Sequence, residues 1–116
     1  MTTKRIVVGA HYGLKDWLVQ RVSAVVMALY TLVLLVALLF TPELSYSSWA
    51  ALFASLWMKV FTLLALAALA WHAWIGARDI FMDYIKPTAV RLLLEAATIV
   101  ALAGYLIWAV IILWRV

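Results

Sequence analysis

Three long apolar runs, each able to cross a bilayer, leave this chain little choice of fold. Val22 to Pro42 carries no charge over 21 residues, and Ala96 to Trp114 none over 19. Between Lys59 and Arg78 lie 18 residues with a single ionisable group, His72. About 20 apolar residues in a helix match the roughly 30 Å hydrocarbon layer of a membrane. In that layer every backbone N–H and C=O must be satisfied within the chain, which favours helices. Composition agrees: 70% of the 116 residues are hydrophobic and 12% charged, against roughly 45–50% and 25% in soluble domains. The sequence therefore predicts an all-α membrane protein with three transmembrane helices.

The expected boundaries follow from punctuation. Residues 1–16 read as a basic tail that ends in a short amphipathic approach through Asp16 to Trp17. Helices are expected over about 17–41, 52–80 and 89–114, in one membrane domain covering 1–116. Thr41-Pro42-Glu43 ends the first span. Ser48 is the expected cap of a short lead-in bearing Trp49, Phe53 and Trp57. The second span is expected to stay helical past Gly76 toward Tyr84. Lys86-Pro87 then turns the chain, because proline disfavours helical geometry in the residue before it, and Thr88 is the expected cap of the third helix. Ala97, Ala101 and Gly104 form a small-residue stripe on that helix, a common device for close packing in lipid.

Charge sets the expected orientation. The amino-terminal segment holds Lys4, Arg5, Lys15 and Arg21, and the second connection holds Arg78, Lys86 and Arg91. The opposite ends carry only Lys59 and Arg115. The positive-inside rule places the amino terminus in the cytoplasm and the carboxyl terminus in the periplasm. The net charge of +4 sits at the ends of apolar runs, which suits a lipid interface and gives no support to nucleic-acid binding. With no cysteine, disulfides, iron–sulfur ligation and thiol chemistry are excluded within this chain.

His72 is the feature that points to chemistry. A polar group at that depth is costly without a partner, so an intramembrane histidine is a functional-site hypothesis by default. On a helical projection Ala65, Ala68, His72, Gly76, Asp79 and Asp83 fall within about 40° of one line. The small residues near the histidine leave room for a flat ligand or a close helix. Two readings stand. One is an axial haem ligand, since neutral imidazole binds haem iron. The other is a hydrogen bond to a neighbouring helix. His11 lies in the polar tail, and Met27, Met58 and Met82 read as packing residues, so a second axial ligand is expected from another subunit or a symmetry mate.

Asp83 and Tyr84 read either as interfacial helix-end residues or as a pair for a quinone carbonyl. In the second reading the tyrosine hydroxyl donates, and the carboxylate orients it or relays a proton. Arg21 suits lipid phosphate or a haem propionate. Arg78, Lys86 and Arg91 read as topology determinants, and Trp17, Trp49, Trp57 and Trp114 as an interfacial belt. Trp71 and Trp74 flank the histidine and suit packing on a cofactor or on lipid. No hydrolase triad, phosphate-binding glycine loop or metal cluster is present, so the chain does not read as a self-sufficient enzyme.

His72-Ala73-Trp74-Ile75-Gly76, then Asp79, then Asp83-Tyr84-Ile85-Lys86-Pro87, resembles the hydrophobic membrane anchor subunit of bacterial succinate dehydrogenase (respiratory complex II), the smaller of its two anchors. The similarity extends to Asp16–Arg21, the run from Lys59 to Leu66, and Arg91-Leu92. It implies a three-helix subunit of the inner membrane that, with a second cytochrome b anchor, sandwiches one haem b and holds the flavoprotein and iron–sulfur subunits. By resemblance His72 matches the axial ligand to haem iron and Tyr84 the tyrosine that hydrogen-bonds ubiquinone. Asp83 matches its acidic neighbour in the quinone pocket, and Arg21 an arginine near the propionates and quinone. The enterobacterial pattern has a histidine just before the aspartate at 16. Here Lys15 stands there, so that histidine's role is not carried over, although a lysine can also pair with a propionate.

Electrons from succinate are implied to reach ubiquinone through iron–sulfur clusters held elsewhere in the complex. Two rivals remain: an anchor of fumarate reductase, and a haemless assembly subunit in which His72 only joins helices. A small transporter would need a polar stripe along a full span, and none exists.

Overall fold

The computed structural model describes residues 9–116, with side chains from Gly13 onward. Residues 1–8 and the His11 side chain, assigned above to the tail, lie outside the described part. Within it the fold is all-helical: α1 (Gly9–Leu39), α2 (Tyr46–Leu52), α3 (Leu56–Tyr84) and α4 (Thr88–Leu113). Helices α1, α3 and α4 are each long and apolar enough to cross a membrane.

The observed ends differ from the expected ones for local reasons. Helix α1 begins at Gly9, inside the segment expected as tail. Once the apolar span is helical, each added residue gains a backbone hydrogen bond, and the glycines cost only about 1 kcal/mol each. Ser45, and not Ser48, caps α2: its side chain accepts from the Ser48 backbone N–H at 3.2 Å, while Ser48 Oγ accepts from the Ser45 N–H at 2.9 Å. This reciprocal box satisfies two N-terminal donors of a helix too short to persist alone. Ser55 caps α3 by accepting from Met58 N–H at 3.2 Å. Pro87, and not Thr88, occupies the cap position of α4, without a side-chain cap bond. Its φ of −66° is already suited to helix entry.

The connection Ile85-Lys86-Pro87 is so short that α3 and α4 must run antiparallel as neighbours. Helix α3 packs against both α1 and α4, which make no comparable contact with each other. The bundle is therefore a row with α3 in the middle. Few side chains are buried among the described residues: Ser23, Thr62, Ala65, Ile75 and Leu113. Water would not tolerate the apolar surface left over, whereas lipid tails do.

Between α1 and α3 the contacts are partly polar. Tyr30 and Thr62 share a hydroxyl–hydroxyl hydrogen bond of 2.7 Å, and the Tyr30 ring meets Phe61 edge-on at 5.1 Å. Between α3 and α4 the lining is apolar, with Leu66, Ala70 and Ala73 opposite Leu102, Leu106 and Ala109. Ala97, Ala101 and Gly104 do not mediate that packing: all three are exposed, and nothing lies within 4 Å of where a Gly104 Cβ would sit. The α3-facing line of α4 instead runs through Thr98, Leu102, Leu106, Ala109 and Leu113, at the three- and four-residue steps of one helix face.

Tyr30→Phe leaves the buried Thr62 hydroxyl without its partner. It is expected to weaken the α1–α3 pairing by about 1 kcal/mol, the scale of an interhelical hydrogen bond in a membrane. Tyr30→Phe with Thr62→Val should recover part of that loss, since no orphan remains. Detergent-unfolding titrations of the three variants check both statements.

Candidate functional site

At 1.5 Å per residue, α3 is about 43 Å long, which exceeds the hydrocarbon layer by roughly three turns. His72 lies about 24 Å from the Leu56 end, still within the span. Arg78, Asp79, Asp83 and Tyr84 follow in the overhang. The geometry thus places a histidine just inside the apolar layer, below a polar rim.

Helix α1 supplies the other wall. Asp16, Ser23 and Tyr30 recur every seven residues and so nearly share one line on the helix. Each finds a partner on α3. The Arg78 guanidinium forms an ion pair with the Asp16 carboxylate, both groups about one-third exposed. Ser23 Oγ lies 3.1 Å from His72 Nδ1 and 3.1 Å from the Gln20 carbonyl oxygen, to which its hydroxyl donates. Tyr30 and Thr62 form the third pair. Ser23, at 5% exposure, is the polar side chain that holds the histidine. Among the described residues the other ring nitrogen, Nε2, makes no hydrogen bond.

Beside this seam opens a cleft of about 520 Å³ lined by Asp16, Trp17, Gln20, Arg21, His72 and Asp79, with Ile75 and Gly13. Arg21 is exposed, and its guanidinium lies 5.4 Å from the centre of the Trp17 ring, a stacking that keeps the cation at the rim. Nothing lies within 4 Å of a Cβ built on Gly76, so among the described residues the space over Gly76 is open, whereas Ala65 on the same helix line is buried within the chain. Two buried polar atoms at this end have no partner among the described residues: Gln20 Oε1 and Arg78 Nε. Buried polar groups are nearly always paired, so their isolation marks a place where further atoms are expected.

The structure brings His72 and Arg21 to one cleft. Asp83 and Tyr84 do not line it. Both are exposed at the end of α3, Tyr84 at 77%, about three turns beyond the histidine. Arg78, read above as a topology determinant, also ties α3 to α1. Trp71 lies on the other flank of the seam, in an apolar groove with Val19, Val22, Val26, Leu64 and Ala68. Sequence reasoning did not single out Ser23, Gln20 or the Asp16–Arg78 pair. A seven-residue recurrence of Asp, Ser and Tyr was there to be seen, but its partners on α3 share no such spacing.

The donor set fits a haem iron. The imidazole is anchored through one ring nitrogen, as neighbouring polar groups usually anchor a metal-binding histidine, and its other nitrogen makes no hydrogen bond among the described residues. Arg21 at the cleft rim offers the planar cation that carboxylates prefer.

Residues 1–113 match the family described as "Succinate dehydrogenase/Fumarate reductase transmembrane subunit". The chain is also 44% identical over 102 residues to the succinate dehydrogenase hydrophobic membrane anchor subunit of Coxiella burnetii (strain RSA 493 / Nine Mile phase I). The matched region covers 88% of this chain and 89% of that protein.

Asp16→Asn and Arg78→Gln are each expected to loosen the rim end of the α1–α3 seam. Because both remove the same contact, a double-mutant cycle in thermal unfolding should give a coupling of about 0.5–1 kcal/mol, the range for partly exposed pairs.

Proposed function

Since the chain belongs to the succinate dehydrogenase/fumarate reductase transmembrane subunit family, we propose that it is the smaller hydrophobic anchor of a bacterial succinate:ubiquinone oxidoreductase. With a second anchor it holds one haem b in the inner membrane. The observation that carries this reading is His72, anchored through Nδ1 on Ser23 and facing the Arg21 cleft just inside the apolar layer. His72 would hold the haem iron from this chain, and the second anchor would supply the other ligand. Haem b, when bound, supplies one-electron chemistry through its ferric and ferrous states.

The remaining roles fall to the rim. Arg21 pairs with a propionate or borders the quinone pocket. Tyr84 donates its hydroxyl proton in a hydrogen bond to a ubiquinone carbonyl, and the Asp83 carboxylate orients that contact or relays a proton. The exposure of both residues supports a pocket completed by neighbouring subunits. By the positive-inside rule the Asp16–Tyr84 end faces the cytoplasm, where the flavoprotein and iron–sulfur subunits dock. Two electrons from succinate then leave the iron–sulfur subunit for ubiquinone, which takes up two protons to become ubiquinol. This chain binds, orients and anchors; succinate oxidation belongs to its partners.

Reduced-minus-oxidised spectra and quinone reductase activity of the purified complex test the reading. The wild type is expected to show b-type bands. His72→Ala should lose or displace them. Tyr84→Phe should keep the bands and lower quinone reduction by about tenfold, the cost of a lost hydrogen bond to substrate. A wild-type complex without haem bands rules out the ligand assignment and leaves His72 as a helix-joining residue. Intact quinone reduction in Tyr84→Phe rules out the tyrosine contact.

A further inference from the structure

The contact that holds His72 also carries information about its protons. A neutral imidazole has one N–H, on Nδ1 or on Nε2, and the hydrogen bond made by one nitrogen decides which. Ser23 has one hydroxyl proton and two neighbours, the Gln20 carbonyl oxygen and His72 Nδ1, both at 3.1 Å. If the proton sits on Nδ1, the imidazole donates to Ser23 Oγ while the serine donates to Gln20, and both contacts are hydrogen bonds. If the proton sits on Nε2, Nδ1 can only accept. The serine must then choose between the ring and the carbonyl, and one contact is lost. At 5% exposure, Ser23 has almost no access to a replacement partner. The two-bond arrangement is favoured by about one hydrogen bond.

We propose that Ser23 is the positioning residue that fixes the Nδ1–H tautomer of His72, so that the Nε2 lone pair is presented to the haem iron. This inference rests on the assignment of His72 as haem ligand and deepens it. Three consequences follow from the chain Gln20 carbonyl, Ser23 hydroxyl, imidazole. The ring is oriented before the iron arrives. The tautomer that carries its proton on Nε2, and so cannot offer that nitrogen to a metal, is disfavoured. A donated Nδ1–H also makes the imidazole a stronger electron donor, which stabilises the ferric state over the ferrous. Ser23 sits on α1 and His72 on α3, so the ligand's electronic state is set by the pairing of two helices.

The test uses the intact complex with Ser23→Ala, Ser23→Thr and Ser23→Val. Threonine and valine have nearly the same shape, and only threonine carries the hydroxyl. The readouts are the haem midpoint potential, from optical redox titration, and the rate of haem loss to excess apomyoglobin. Ser23→Ala and Ser23→Val are expected to raise the potential. The ferric-to-ferrous balance should move up to about tenfold, or about 59 mV for one electron, with haem held about 10- to 100-fold more weakly. Ser23→Thr should stay near wild type in both. If valine and threonine behave alike, the hydroxyl is irrelevant and the inference is overturned. It is equally overturned if Ser23→Ala leaves both readouts unchanged, a result that leaves the haem assignment intact. Absence of haem from the wild-type complex overturns the assignment and this inference together.

Discussion

The pairing of α1 with α3 through three polar contacts is the constraint on which the rest depends. In a bilayer, apolar side chains gain little by leaving lipid for one another, so helices are held together by close packing and by hydrogen bonds. Among the described residues few are buried, and two of those, Ser23 and Thr62, are polar. The Asp16–Arg78 ion pair, the Ser23–His72 contact and the Tyr30–Thr62 hydrogen bond run along one seam. They fix the register of the two helices, and the register fixes where the imidazole points.

A row of three helices with α3 in the middle is an incomplete body. Helix α1 and helix α4 each lean on α3 and leave their outer faces apolar and open. The cleft beside His72 is open too, with Gln20 Oε1 and Arg78 Nε buried and unpartnered among the described residues. These features suit the proposed role, in which a second chain closes the site. The small-residue stripe of α4 points the same way: it is exposed and does not serve packing within the chain. The opposite end is finished locally, with Lys59 lying 5.5 Å from the centre of the Trp114 ring and donating to the Val116 carbonyl.

Some of the site was legible and some was not. His72 stood out because ionisable groups are rare in an apolar run, and Asp83-Tyr84 because they close the resemblance that begins with that histidine. Ser23 did not stand out, since a lone serine in a membrane helix is common and commonly bonds its own backbone, as it also does here to Gln20. Arg78 looked like one more basic residue at a helix end. Its contact with Asp16 follows from α1 being already helical at that residue, whereas the glycines at 9 and 13 argued for a tail through residue 16.

The sequence by itself determined three spanning helices, their order, and a histidine near the end of the middle one. These follow from hydropathy and from the need to satisfy backbone groups in lipid, both of which are properties of contiguous residues. Only the tertiary structure decided that α3 is flanked on both sides, that Ser23 meets His72, and that the cleft gathers Arg21 but not Tyr84. Those outcomes depend on the rotation and register of one helix against another. Connecting loops and a few side-chain pairs set these, and residues far apart in sequence carry no local mark of it.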